Sequence, residues 1–294
     1  MAVRSRRARV PAIMVPPPGD DRSRLEDMTM TDDPLAWHSA LMAERVAEFY
    51  VDAPEAPFFQ REIARFGQPA LDLACGAGRV LLPLLRAGVE IDGCDVSAEL
   101  LQQCRAKAAR EGHEPRLYQQ PMHAFALPRR YRTIYICNSF GLAGGRDQGM
   151  AALRQCHAHL EDGGALLLNI EAAYTSQEEW ELWEPVKRRA LPEPWPEEGR
   201  RRVAADGSVH VDRLRAVAMD PLEQRWVREL RLEKWVAGRL VASEELALRG
   251  NVYLKNELVF MLQAAGFRDI TVRGDYTDEP ATPDSKELVL TAVK

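Results

Sequence analysis

Two acids and two glycines lie in the part of the chain whose residue types best suit a nucleotide-like ligand. Asp72 belongs to a short apolar run, Gly76 and Gly78 interrupt that run, and Asp95 closes the next one. Glycines allow a tight turn and let a ligand approach the backbone, and a following helix points its first N–H groups at the ligand. The pattern predicts a strand, a glycine turn and a helix, then a strand that ends in an acid.

The elements that position these residues are predicted from hydrophobic periodicity. Ala70–Ala74 is a buried strand, and helical spacing runs from Gly78 to Ala87, where Gly88 ends the helix. Strands alternating with helices at this spacing predict an α/β fold with a parallel sheet covered on both faces. Further strands are predicted at 89–94, 116–119, 131–137, 165–170, 267–273 and 288–293, and helices at 98–111, 147–160 and 255–265.

Two regions depart from this alternation. Residues 1–31 are rich in arginine and proline and predict a disordered tail; a helical cap follows at 32–69, with Pro34 and Pro57 beginning its two helices. Residues 175–250 carry period-two segments at 208–218, 223–236 and 239–248, which predict an inserted antiparallel β meander. The core is therefore expected at 70–174 and 251–294, with the insertion as a lid, a substrate region or a dimer contact.

The composition limits the classes of function. A net charge of −5 gives no basic field for nucleic acid. No apolar run approaches the ~20 residues that cross a bilayer. The five cysteines lack the spacing of a metal site, and we expect reduced, buried thiols in a cytoplasmic protein without a metal.

Two nucleotide-dependent families share this pattern: a strand, a glycine turn and a helix, followed by an acid further along the chain. Dinucleotide oxidoreductases use G-x-G-x-x-G, but Leu81 occupies the third glycine position here. Asp95 suits both families, whereas Asp72, just before the turn, favours the second. An NAD(P)-binding oxidoreductase nevertheless stays an alternative, as does a protein that binds the cofactor without turnover.

The second family is the class I S-adenosylmethionine-dependent methyltransferases, which the chain resembles in four motifs. Residues 72–79 (Asp-Leu-Ala-Cys-Gly-Ala-Gly-Arg) resemble its first motif, and residues 91–97 its acidic second motif. Residues 159–168 resemble its "HLxPGGxLxL" segment, with Asp162 in place of proline, and residues 262–267 its "LxxAGF" helix end. The resemblance implies a Rossmann-like, mostly parallel seven-stranded sheet of order 3-2-1-4-5-7-6 with the last strand antiparallel.

The resemblance also implies a cofactor, S-adenosylmethionine, with S-adenosylhomocysteine as product. Asp72 would engage the α-ammonium, and Asp95 would accept hydrogen bonds from both ribose hydroxyls. Val96 and Met122 would contact the adenine, although Pro121 stands where the family often has an acid. Tyr50, Arg79 and Met122 also fit ordinary packing or surface roles. The implied cofactor-binding residues are Tyr50, Asp72, Ala74, Gly76, Gly78, Arg79, Asp95, Val96, Met122 and Asn138.

The implied reaction is in-line methyl transfer to an amine, hydroxyl or carbon nucleophile of a small molecule. Such a transfer needs alignment and exclusion of water, and a base only where the nucleophile starts protonated. His123 and Asn138 are candidates for a catalytic role, and residues 138–141 lack the Asn-Pro-Pro-Tyr pattern of nucleobase and glutamine methylation. Tyr174, Trp180 and Arg249 are candidate substrate contacts, with hydrophobic packing or a surface position as the alternative. The acceptor and the oligomeric state stay open, with a homodimer through the insertion as one expectation.

Overall fold

A computed structural model describes residues 39–294, which contain two β-sheets and eight α-helices. The strands are β1 Ala70–Leu73, β2 Ile91–Asp95, β3 Leu117–Gln119, β4 Tyr131–Ile136, β5 Leu160–Glu171, β6 Arg200–Val203, β7 Val209–Asp220, β8 Arg225–Val236, β9 Arg239–Asn251, β10 Arg268–Gly274 and β11 Glu287–Val293. The helices are α1 Ala40–Phe49, α2 Ala56–Phe66, α3 Leu81–Arg86, α4 Ala98–Arg110, α5 Arg146–His159, α6 Gln177–Glu181, α7 Pro185–Arg189 and α8 Lys255–Ala264.

The larger sheet has the order β3-β2-β1-β4-β5-β11-β10. Strands β1 to β5 pair in parallel, and β11 is antiparallel to both of its neighbours. The predicted 3-2-1-4-5-7-6 order with an antiparallel last strand is therefore confirmed. Since the parallel strands all end at one edge, the residues that follow them meet there, as binding residues do in open α/β sheets.

Both faces of this sheet are buried, as its apolar strands predict. Leu166 and Leu168 of β5 join a core cluster with α5 and α8, whereas Leu167 joins a second cluster with α2, α3 and α4. The helix after the glycine turn is shorter than predicted. It begins at Leu81 rather than Gly78, because Gly78 has a φ of 84° and lies outside the helical region.

The smaller sheet forms the predicted antiparallel insertion, in the order β6-β7-β8-β9. The alternating segments predict three strands, and β6 is a fourth. Its sequence Arg-Arg-Arg-Val carries no alternation of apolar and polar residues, because β6 is an edge strand that pairs only with β7. Two short helices, α6 and α7, precede the sheet.

Helix α1 lies between the smaller sheet and the glycine turn. Its Leu41 and Met42 pack with Leu230, Leu232 and Leu248 of the insertion, and its Ala43 and Ala47 pack with Ala77 and Leu100. The predicted start at Pro34, like the whole predicted tail, lies outside the described residues. The described helix begins at Ala40, because Ser39 is extended and its hydroxyl accepts the N–H of Met42 at 3.2 Å, as a capping residue does.

Candidate functional site

The glycine turn connects β1 to α3, and its two glycines are required for different reasons. A side chain on Gly78 would lie 2.6 Å from the Cys104 sulfur of α4, so this glycine allows close packing of the turn against the helix. A side chain on Gly76 would meet only Leu100, at 3.9 Å, and Gly76 is half-buried. Ala74 and Gly76 have φ values of 68° and 53°. The expected open approach for a ligand therefore exists at Gly76, whereas Gly78 faces the protein.

Asp95, at the end of β2, holds the turn in place. Its carboxylate accepts the N–H of Gly76 at 2.8 Å and the N–H of Ser97 at 2.9 Å. The first bond orients the turn and the second orients the start of α4, where Ser97 is the capping residue. Val96 lies half-buried beside them. The carboxyl ends of β1 and β2 thus form one rigid unit.

Asp72 is buried within β1 and is 2% exposed. Burial raises the pKa of its carboxyl to about 7, against the lowering effects of the nearby Tyr135 hydroxyl and the Arg79 charge. Asp72 forms no ion pair within residues 39–294. A positive charge beside Asp72 would favour its ionised form, because an opposite charge offsets the cost of burying the carboxylate.

Arg79, the residue after Gly78, connects the turn to β4 and to the residues before α2. It forms an ion pair with the buried Glu55, donates to the carbonyl of Asp52 at 3.0 Å and lies 3.4 Å from the Cys137 sulfur. The thiol of Cys137 donates to Glu55 at 3.2 Å. Although burial opposes ionisation, Arg79 holds the pKa of Glu55 below its usual value. Arg79 is therefore a structural connector here and not a solvated surface residue.

Asn138, the second residue after β4, begins a hydrogen-bonded chain across three strands. It has a φ of 56°, which asparagine tolerates better than most residues, and it is exposed. Its N–H donates to Oδ1 of the buried Asn169 at 2.8 Å. The Nδ2 of Asn169 donates to Oδ1 of Asn138 and, at 2.8 Å, to Oε2 of Glu287. This chain connects the ends of β4 and β5 to the start of β11 at one edge of the sheet.

Glu287 lies among acidic and phenolic groups. Burial, followed by the charges of Glu171, Asp275 and Glu55, raises the pKa of Glu287, and the Asn169 hydrogen bond opposes this rise. The hydroxyl of Tyr276 is buried without a hydrogen-bond partner among the described residues. Burial, Cys137 and Glu287 raise the pKa of Tyr276 well above its usual value. The edge of the sheet is therefore anionic beside an unsatisfied hydroxyl.

The other predicted cofactor residues occupy varied environments. Tyr50 is 43% exposed at the end of α1, and the guanidinium groups of Arg45 and Arg202 lie 5.1 and 5.3 Å from its ring centre. It borders a cavity of about 180 Å³ with Ala77, Gly78 and Arg79. Met122 is half-buried and packs against the core cluster that includes α5, as the packing alternative expects.

The predicted substrate residues lie on or beside the insertion. Tyr174 and Trp180 are 43% and 44% exposed, and Trp180 stacks on Trp183 with 5.4 Å between ring centres. Arg249 is half-buried in β9, opposite Val227. Two residues after Arg249, the Asn251 side chain donates to the carbonyl of Gly141 at 3.1 Å, so the end of β9 is fastened to the loop that follows Asn138. His123 is half-buried in the loop after β3.

Four residues at this edge were not among the predicted site residues: Glu55, Asn169, Tyr276 and Glu287. Asn169 alone left a signal in the sequence. It is the one polar residue in the run Leu-Leu-Leu-Asn-Ile, and a polar side chain in a buried strand needs hydrogen-bond partners. Tyr276 and Glu287 lie far away along the chain and join the site through the sheet order, and Glu55 joins it because α2 packs on the sheet.

Comparison with known proteins gives a consistent class. Residues 70–164 match a family model described as a methyltransferase domain. No curated protein matches the chain. Solved structures with a similar fold include an S-adenosylmethionine-dependent methyltransferase from Clostridium acetobutylicum, with a TM-score of 0.62, 14% identity and coverage of 93% of this chain and 97% of that chain.

Two further solved structures are named as sugar methyltransferases. The sugar N-methyltransferase KedS8 from a Streptoalloteichus species has a TM-score of 0.58 and 18% identity, covering 100% of this chain and 98% of that one. CalS10, an amino pentose methyltransferase from Micromonospora echinaspora solved with S-adenosylmethionine bound, has a TM-score of 0.54 and 15% identity, covering 96% of this chain and 100% of that one. At these identities the likeness establishes the fold.

The domain match agrees with the predicted resemblance to methyltransferases over residues 70–164, and the solved structures share the predicted fold. The residues present fit S-adenosylmethionine, because the open side of Gly76 and the buried Asp72 flank one turn. Within residues 39–294, no helix has the length and apolar character needed to cross a membrane. The same residues contain no group of three or more side chains suited to a metal ion.

Proposed function

We propose that this protein transfers a methyl group from S-adenosylmethionine to the nitrogen of a small-molecule amine. The observation that carries this proposal is the anionic edge of the sheet beyond the glycine turn, where Glu287 and Glu171 lie close together. Among the described residues, no cationic side chain pairs with Glu287. An acidic site attracts an ammonium and offers no partner to an anionic acceptor. The names of KedS8 and CalS10, an N-methyltransferase and an amino pentose methyltransferase, support an amine.

The cofactor supplies an electrophilic methyl group on a positively charged sulfur. We assign Asp95 to the ribose hydroxyls, Asp72 to the α-ammonium, the open side of Gly76 to the methionine and ribose portion, and Val96 to the adenine. The ribose hydroxyls and the α-ammonium are hydrogen-bond donors, and a carboxylate is a suitable acceptor for each of them. Met122, Tyr50, Ala74 and Arg79 border this region as further proposed contacts.

The chain's other residues align the acceptor and exclude water. Asn138 is exposed between the glycine turn and Glu287, where an acceptor nitrogen would lie close to both. We propose the division into a cap at 32–69, a core at 70–174 and 251–294, and an insertion at 175–250 that covers the acceptor. Alignment of this kind accounts for much of the rate of an in-line transfer.

Two measurements test the proposal. S-adenosylhomocysteine should raise the melting temperature of the protein by several degrees, whereas NAD(H) and NADP(H) should not. Labelled methyl transfer should then occur into a pool of amines (glucosamine, galactosamine, tyramine and benzylamine) and not into the matched alcohols (glucose, galactose, 4-ethylphenol and benzyl alcohol). Stabilisation by a nicotinamide cofactor alone, or transfer into the alcohols alone, would contradict it.

A further inference from the structure

The start of β11 carries a carboxylate that neither the motifs nor the family match assigns. Glu287 lies opposite Glu171 across the β5–β11 pair, at the edge where the parallel strands end. Its Oε2 accepts the Asn169 amide at 2.8 Å, and its main-chain N–H donates to Asp275 at 2.9 Å. Both the backbone and the side chain of Glu287 are therefore held in place, while Oε1 accepts no hydrogen bond from the described residues.

Asn169 uses its whole amide group to orient Glu287 and Asn138. Its oxygen accepts the Asn138 N–H, and its nitrogen donates to both Asn138 and Glu287. An amide whose donors and acceptor are all engaged has one orientation, and a buried network of this kind is rigid when satisfied. Glu287 is thereby presented beside Asn138, the exposed residue of the site.

The groups that face Glu287 favour a proton on it or a cation beside it. They are Glu171 of β5, Asp275 and Tyr276 after β10, Glu55 before α2, and Cys137 after β4, with Lys286 adjacent in sequence. Of the nearby cations, Arg79 is paired with Glu55, and Lys286 is exposed. The buried Tyr276 hydroxyl has no hydrogen-bond partner by geometry among residues 39–294, which leaves one polar group at this site available to a ligand.

We propose that Glu287, positioned by Asn169, is the general base that removes a proton from the acceptor ammonium before methyl transfer. This inference rests on the proposed amine methylation. An amine nitrogen that is protonated has no electron pair for attack, and at neutral pH most alkylamines are protonated. Burial raises the pKa of a carboxyl group, so a partly buried carboxylate accepts a proton more readily than one in water.

The step balances as follows in atoms and charge. The ammonium gives one proton to the Glu287 carboxylate, which becomes neutral, and the nitrogen regains its electron pair. The nitrogen forms a bond to the methyl carbon while the carbon–sulfur bond breaks and its electron pair stays on sulfur. The product is a methylated ammonium with neutral S-adenosylhomocysteine, and Glu287 then releases its proton to water.

The test compares Glu287→Gln with a matched control, Glu161→Gln. Glu161 lies at the opposite end of β5, is half-buried with a side chain 44% exposed, and forms a surface ion pair with Arg132 at 3.9 Å. With the amine pool and labelled donor, we expect Glu287→Gln to lower kcat by about 100-fold or more at pH 7. The loss should shrink as pH rises towards the pKa of the amine, while S-adenosylhomocysteine affinity and Tm stay close to wild type. Glu161→Gln should keep wild-type kcat and pH dependence.

A Glu287→Gln variant that keeps kcat within threefold of wild type, with an unchanged pH profile, would overturn the inference. Glu287→Asp should recover part of the activity, which a purely structural role would not require. Asn169→Ser should lower kcat and shift the pH profile to higher pH, because Glu287 loses its orientation and the amide donor that holds its pKa down. Failure of the amine proposal would show separately, as wild-type transfer into the alcohol pool and not the amine pool.

Discussion

The two halves of the carboxyl edge of the large sheet are built in different ways. On the cofactor half, Asp95 binds the N–H of Gly76, only 19 residues earlier in the chain. On the acceptor half, Asn169 binds Asn138 from 31 residues away and Glu287 from 118 residues away. The first half depends on backbone groups within one motif, and the second on side chains brought together by strand order.

Helix α1 connects this edge to a third region, the antiparallel insertion. Arg45 of α1 pairs with Asp212 of β7 at 2.8 Å, with both side chains about nine-tenths buried. The opposite side of α1 packs on Ala77 of the glycine turn. A change in the insertion can therefore reach the cofactor half through one helix. Substitutions at Asp95 and Asp72 change the cofactor half, Arg45→Ala changes this connection, and Trp180→Ala changes the segment before the insertion.

The largest effect is expected at Asp95. Asp95→Ala removes the anchor of the glycine turn together with the proposed ribose acceptor, and hydrogen bonds to a charged group contribute about 1.5–3 kcal/mol each. We expect S-adenosylhomocysteine affinity to fall by about 100-fold or more, measured by calorimetric titration. Asp147→Ala, which removes an acid from the first turn of α5, serves as a control and should leave the affinity unchanged. Equal losses in the two variants would contradict the assignment.

The connection through α1 is tested by its buried ion pair. Arg45→Ala leaves Asp212 buried without its partner, and breaking a buried pair costs about 3–5 kcal/mol. We expect a loss of unfolding free energy near the lower value, measured by urea denaturation, with weaker S-adenosylhomocysteine binding. Arg231→Ala removes the exposed pair with Glu245 and should cost less than about 1 kcal/mol. Similar losses of unfolding free energy in Arg45→Ala and Arg231→Ala would show that α1 does not connect the insertion to the glycine turn.

Asp72 gives a pH-dependent effect within the cofactor half. Its pKa is raised from 3.8 to about 7, so the folded protein holds a proton that the unfolded chain releases between these values. The contribution of Asp72 to the free energy of unfolding is fully present below its unfolded pKa of 3.8 and is lost as pH rises through its folded pKa of about 7. Asp72→Asn should therefore raise the Tm of the ligand-free protein at pH 8 and raise it by a smaller amount at pH 5, where less of this stability has been lost.

The same substitution should reduce S-adenosylhomocysteine binding by about tenfold at pH 8, because a neutral amide replaces the carboxylate beside the α-ammonium. In the wild type this affinity should rise as pH increases through 7, and in Asp72→Asn that rise should disappear. A wild-type affinity that is independent of pH between 5.5 and 8 would exclude this role for Asp72.

The smallest effect is expected at the tryptophans before the insertion. Trp180→Ala removes an exposed ring that stacks on Trp183, and an aromatic pair contributes about 0.5–1.5 kcal/mol beyond its buried area. If Trp180 contacts the acceptor, the KM for the amine should rise by up to about tenfold with unchanged S-adenosylhomocysteine affinity. If it only packs, Tm should fall and KM should stay the same.

The larger sheet and the cofactor half were predictable because their signals are local. A strand, a glycine turn and an acid lie within a few tens of residues, and each requires a particular backbone conformation. The meander was predictable from its period of two, but β6 was not, because an edge strand of arginines buries no apolar face. Gly78 was predicted to allow a ligand to approach, whereas its close packing against Cys104 is what the structure shows to require glycine there.

The sequence by itself determined the class of fold and the residues of the glycine turn, since short-range backbone geometry demands those residue types. Only the tertiary structure decided the acceptor half. Glu55, Asn169, Tyr276 and Glu287 meet because β11 inserts beside β5 and α2 covers the same face. Their pKa values and hydrogen bonds arise from burial and from neighbours distant along the chain, which spacing in the sequence does not express.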